Sequence, residues 1–221
     1  MIGADSHTVT CGALNLFATG VGSSDLAAAM ITGRILLRVP ETIKVTLTGN
    51  RLPGVSAKDV SLSLVAELGA DGANYQTLEF HGPGLDAFTT EDRFVFSNLA
   101  VESGAKAAIF PADDTTDAYL DQRTAKRRPG VDADPAAVYS REVVIAIDDI
   151  TPRTAVPHSP NSVVAVEAVM GTPVDMVFVG TCTGGRVGDY HDALDIVERA
   201  GGRIAPGVSL VVTPASREVT G

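Results

Sequence analysis

Short β-branched or apolar runs alternate with helix-like stretches along the whole 221-residue chain, and this alternation leaves few architectures open. A strand that returns after a helical crossover pairs in parallel, and a parallel sheet needs helices against it. Thr42 to Thr48 alternates β-branched with other residues ahead of Gly49-Asn50, which predicts a strand with one solvated face. Ser56 with Asp59 makes a capping box for a helix reaching about Leu68, closed by Gly69. Further strands are expected at Gln76 to Phe80, Lys106 to Phe110, Glu142 to Ile147, 175–180 and 208–213. Helices are expected at Asp25 to Arg38, Glu91 to Ser103, Thr115 to Arg123 and 189–200. Thr151 to Asn161 carries three prolines and reads as an extended connector. The expected fold is a layered α/β/α arrangement with mainly parallel sheets in two subdomains. Residues 1–150 form an α/β domain, and 151–221 a connector plus a βαβ unit.

Composition excludes several functions. A hydrophobic content of 45% fits a globular chain, yet no run approaches the roughly eighteen apolar residues of a membrane span. The start lacks the basic-then-apolar order of a signal peptide, so the cytoplasm is the default compartment. Two cysteines are too few for a disulfide scaffold and point to a reduced state. A net charge of −10 argues against nucleic-acid binding, which needs clustered Lys and Arg. The one basic cluster, Arg123 to Arg128, falls in a loop rich in Asp and Pro.

Two stretches carry chemistry. Cys182 follows the apolar run Asp175 to Val179 and precedes a helical pattern, at a strand end where helix N-terminal amides favour a thiolate. A thiolate there attacks electrophiles or binds soft metal, and one cysteine cannot hold a metal centre alone. The second stretch is Asp5-Ser6-His7, an acid, a hydroxyl and an imidazole that meet a ligand together only from a turn. A plain surface turn is the competing reading. Gly180 with Gly184 and Gly185 resembles a phosphate loop, but Arg186 and Val187 stand where that motif needs lysine and a hydroxyl. Gly20-Val21-Gly22 is too short of glycines for a dinucleotide site. His191 is a candidate base for Cys182, and His81 reads as a hydrogen-bonded turn residue. Asn98 and Glu102, four apart, share a helix face.

Taken together, Gly3 to Thr8, Phe17 to Gly22, Val39-Pro40-Glu41, Glu79 to Gly84, Asn98 to Ala105, Pro157 to Asn161 and Gly180 to Arg186 resemble the large subunit of the aconitase superfamily. The nearest branch is the 3-isopropylmalate dehydratase and homoaconitase group, and the resemblance runs in order over essentially the whole chain. It implies a hydro-lyase acting on a hydroxy di- or tricarboxylic acid through a 4Fe-4S cluster, as in leucine biosynthesis, with a small, swivelling-domain subunit as partner. By that resemblance Cys182 is a cluster ligand and Asn98 supports the cluster. Asp5, His7 and Glu102 are catalytic, while Ser6 and Arg186 bind substrate. Family members take two more cluster cysteines from a downstream Cys-x-x-Cys motif, and none follows here. The chain is therefore expected to be the middle of a large subunit and inactive alone. The alternatives are a cluster-free assembly module and a cysteine-dependent hydrolase. The particular hydroxy acid and the oligomeric state stay open.

Overall fold

The computed structural model describes residues 1–124, 129–181 and 183–220. The chain divides into two compact units, Met1–Val166 and Glu167–Gly221.

The first unit opens with β1 (Ile2–Gly3), a nine-residue 3-10 helix over Ser6–Leu14, and β2 (Thr19–Gly20). β1 and β2 pair in parallel, so Asp5-Ser6-His7 leaves the carboxyl end of a strand as the start of a 3-10 helix rather than as a free turn. Nine residues is long for a 3-10 helix, whose eclipsed side chains usually limit it to three or four. What sustains it is a close tertiary fit. A Cβ at Gly12 would lie 1.8 Å from the Ala108 carbonyl oxygen, so only glycine lets the helix lie directly on the backbone of the strand it crosses.

α1 (Ser23–Thr32) follows. The expected helix to Arg38 is cut short because Gly33 turns left-handed at φ 68, its N–H returning to the Ala29 carbonyl. Gly33 therefore acts as a stop, although its spacing suits a helix interior. β3 (Thr42–Thr48) has the predicted bounds and alternation, with Ile43, Val45 and Leu47 buried. α2 (Ala57–Leu68) carries the Ser56–Asp59 capping box. β4 (Thr77–His81), α3 (Thr90–Leu99) with a 3-10 extension over Ala100–Ser103, β5 (Ala107–Ile109), α4 (Asp114–Asp121) and β6 (Arg141–Ala146) complete the main layer. The four-stranded sheet has the order β5-β4-β3-β6, parallel throughout.

Its apolar face packs on α2 and α3 around Phe80, Phe88, Phe96 and Phe110. The rings of Phe80 and Phe110 stack at 4.3 Å, and Phe96 meets Phe80, Phe88 and Phe110 edge-on. Beyond the sheet, the proline-bearing connector is not simply extended. β7 (Arg153–Ala155) and β8 (Val163–Ala165) form an antiparallel hairpin, because the prolines fall outside the two paired segments and leave both ladders intact. Asp59 binds this hairpin to α2, its Oδ1 accepting the Arg153 N–H at 2.6 Å.

The second unit holds β9 (Met176–Gly180), α5 (Val187–Arg199) and β10 (Ser209–Thr213). β9 and β10 pair in parallel, which is the βαβ arrangement expected from the sequence. Among the described residues no helix is long and apolar enough to cross a membrane.

Candidate functional site

The 3-10 helix is organised by its own polar side chains. Asp5 is the N-cap, its Oδ1 accepting the His7 N–H at 2.8 Å, which satisfies a donor that the first turn leaves bare. Thr10 Oγ1 donates to the His7 carbonyl at 2.7 Å. The imidazole is thereby presented on a braced backbone. Its Nδ1 lies 3.2 Å from Ser6 Oγ, the ring tautomer deciding which group donates, and 3.9 Å from Asp5 Oδ1. Its Nε2 lies 3.6 Å from Glu102 Oε1. Asp5 is 78% exposed, so water screens its attraction for the ring. Glu102 is half-buried and the stronger electrostatic neighbour.

Asn98 and Glu102 reach this helix from the other side. α3 tightens into its 3-10 extension between them, yet both contact the same partner. Buried Asn98 donates from Nδ2 to Thr10 Oγ1 at 2.8 Å, and Glu102 faces His7. Residues almost a hundred positions apart thus form one chain of polar contacts, Asn98 to Thr10 to the His7 backbone and Glu102 to the His7 ring. Thr10 is a residue that the sequence motifs miss. A hydroxyl three residues after His7 is the signal that finds it, since in a 3-10 helix that spacing returns to the same face.

A second polar group lies on the half-open face of the main sheet. His81 Nε2 is 2.8 Å from Glu79 Oε1, and the Tyr139 hydroxyl donates to the same Glu79 oxygen at 3.1 Å. Burial, followed by the negative charge of Glu79, holds the Tyr139 hydroxyl proton more tightly than usual. His81 is a strand residue here and not a turn residue.

Cys182 and residues 125–128 of the basic cluster lie outside the described residues. Beside position 182, Thr181 adopts φ 87, a conformation that β-branched residues rarely take. Arg186 is the N-cap of α5 in the second unit, its N–H donating to Asp189 Oδ2 at 3.0 Å. Among the described residues, no three His, Cys, Asp or Glu side chains converge as a metal site. Cys11 is half-exposed and free, because it sits on the flank of the 3-10 helix while Gly12 and Ala13 face inward. A cubane cluster needs three or four thiolates, and the chain has two cysteines. These residues alone do not fit such a cluster.

Fold and site together define a parallel α/β protein with an acid–imidazole pair at the carboxyl end of a strand. The sequence profile of the aconitase family (aconitate hydratase) matches residues 1–173, and the chain belongs to that family. It is 44% identical over 219 residues to the 3-isopropylmalate dehydratase large subunit 1 of Methanopyrus kandleri, covering 99% of this chain and 52% of that protein. The corresponding large subunits of Syntrophus aciditrophicus and Archaeoglobus fulgidus are 42% and 43% identical with the same coverage. The chain spans about half the length of the curated relatives it matches.

Proposed function

We propose that this chain supplies the acid–base part of a hydro-lyase that removes and re-adds water on a hydroxy di- or tricarboxylic acid such as 3-isopropylmalate. The observation that carries this reading is the His7 Nε2 to Glu102 Oε1 approach of 3.6 Å, made by two segments far apart in sequence. Imidazole gains and loses protons near neutrality. Water elimination needs a proton delivered to the departing hydroxyl and another taken from the neighbouring carbon. His7, steadied by Glu102 at Nε2 and by Ser6 at Nδ1, holds the first of these. Asp5 fixes the ring by capping its helix, and Asn98 does so through Thr10. The base for the carbon-bound proton belongs to a small, swivelling-domain partner, as the family resemblance and the relatives' designation as large subunits support.

Cys182 is assigned as one ligand of a 4Fe-4S cluster, with Arg186 close to it in sequence as an anion-binding residue. The other thiolates come from polypeptide beyond these 221 residues. The chain alone is therefore expected to be inactive. Supplied with iron and sulfide, it should retain no stable stoichiometric visible absorbance; a stable cluster would refute the divided ligand set. Combined with the complementary half of a 3-isopropylmalate dehydratase large subunit and its small subunit, it should hydrate a carbon–carbon double bond. His7→Ala or Glu102→Gln should then lower kcat by about 100-fold or more. Wild-type turnover in either variant would end the acid–base assignment.

A further inference from the structure

Glu79 and His81 stand two apart on β4, so the alternation of the strand puts both on the face opposite Phe80, which is buried in the core. Tyr139 reaches the same face from just ahead of β6. Its neighbour Ser140 fixes it there. The Ser140 N–H donates to the Thr42 carbonyl at 2.9 Å, and Ser140 Oγ donates to that carbonyl at 3.0 Å while accepting from Gln76 Nε2 at 2.9 Å. The tyrosine side chain thus crosses β3, which lies between β4 and β6. Glu79 Oε1, His81 Nε2 and the Tyr139 hydroxyl form a triangle with edges of 2.8, 3.1 and 3.3 Å. The acid–base reading gives none of the three a role.

We infer that Glu79, His81 and Tyr139 form a three-ligand site for a divalent cation of the zinc class, with solvent completing its coordination. The inference uses no residue of the His7–Glu102 site and is independent of the hydro-lyase reading. Three observations carry it. The first is the shape of the triangle. Its centre lies about 1.8 Å from each corner, so an ion about 1.1 Å above its plane is about 2.1 Å from all three, the length of Zn–N and Zn–O bonds. The second is the supply of protons. With Glu79 a carboxylate, only the imidazole N–H and the phenol O–H are available, two protons for three short contacts. One cation meets all three atoms at once. The third is charge. Burial, then the negative charges of Glu79 and Glu142, hold the Tyr139 proton more tightly than usual, and a negative potential at that oxygen attracts a cation. Lys44 Nζ lies 5.5 Å from the Tyr139 ring centre, but it is paired with Glu142 at 3.5 Å. The Glu79 and His81 side chains are 25% and 32% exposed, which gives an ion a way in from solvent. Among the described residues no third His, Cys, Asp or Glu joins them, so tyrosine is the third ligand. Binding places the imidazole proton on Nδ1 and releases the hydroxyl proton to water. The bound ion ties β4 to the residues that lead into β6.

The test is a titration of the 221-residue chain, its cysteines alkylated, with zinc chloride. Calorimetry reads the binding and near-ultraviolet absorbance reads tyrosinate. One equivalent of zinc should bind with loss of a tyrosine proton, bind more tightly as pH rises, and raise Tm. Magnesium, which demands octahedral oxygen coordination, should do none of this. Tyr139→Phe removes one oxygen and keeps the ring. It should erase the tyrosinate signal and weaken zinc binding by about 100-fold or more, as should His81→Ala. Circular dichroism checks that both variants are folded. Failure to bind at millimolar zinc, affinity unchanged in Tyr139→Phe, binding without loss of a tyrosine proton, or an equal response to magnesium would overturn the site.

Discussion

Asn98→Ala should loosen the brace behind His7. The Asn98 side chain is 1% exposed and donates to Thr10 Oγ1 at 2.8 Å, while that hydroxyl's own hydrogen is committed to the His7 carbonyl at 2.7 Å. Losing the hydrogen bond to Thr10 costs about 1 kcal/mol net and leaves the Thr10 acceptor unmet in a partly buried place. The void left by three heavy atoms adds about 1 kcal/mol more. The expected destabilisation is about 2–3 kcal/mol. Asn98→Asp is the sharper test, because it preserves shape and reverses polarity. A carboxylate would face an oxygen whose proton points elsewhere, in a site that penalises charge. Burial raises the pKa of such a carboxyl, and a raised pKa means that its stability contribution is kept at low pH and lost as pH climbs through it. Urea unfolding followed by circular dichroism should therefore find the Asp variant weaker than the Ala variant at neutral pH and partly recovered in mild acid. An Asp variant as stable as wild type at neutral pH, or an Ala variant within about 0.5 kcal/mol of it, would refute the proposed chain of contacts.

Arg93 is fully buried, and its Nη1 lies 2.7 Å from Asp113 Oδ1, so Asp113→Ala should cost about 3 kcal/mol in a urea melt by stranding the guanidinium and uncapping α4. Burial pushes the Asp113 carboxyl up, but the hydrogen bonds from Arg93 and the Thr116 N–H outweigh it and hold the group below its ordinary value. Its contribution should be present above about pH 3.9 and fade as pH falls through the lowered pKa, a fade absent from the variant. Tyr139 behaves oppositely. Its raised pKa makes stability fall as pH rises beyond about 10, and Tyr139→Phe should flatten that alkaline slope in pH-dependent melts. Gly12→Ala should displace the His7 helix from β5 and cost about 3 kcal/mol or more, read as early loss of protection in hydrogen exchange over residues 6–14.

What the sequence disclosed about the fold was mostly what local rules control. The Ser56–Asp59 capping box, the alternation of β3 and the βαβ order of the second unit all arise from neighbours within a few residues, and all were legible. Gly33 was not, because the same residue suits both a helix interior by spacing and a helix stop by its φ. The hairpin of β7 and β8 escaped because three prolines outweighed two short strands that only pairing reveals. At the site, Asp5, His7, Asn98 and Glu102 were marked by motif, but the approach of Glu102 to the His7 ring and the link from Asn98 through Thr10 to the His7 carbonyl are tertiary facts.

β3 sits between two partners that lie at very different distances along the chain. Its pairing with β4 closes over one helix, whereas Ile43 waits for Arg141 on its other side. During synthesis the site helix, α3 and β5 can therefore assemble while one margin of the central strand stays bare, its amides and carbonyls open to any passing strand. Loop-closure entropy makes that last pairing the slow one, and bare strand margins recruit foreign chains. A nascent polypeptide stalled before position 141 is consequently the form of this protein most prone to aggregate.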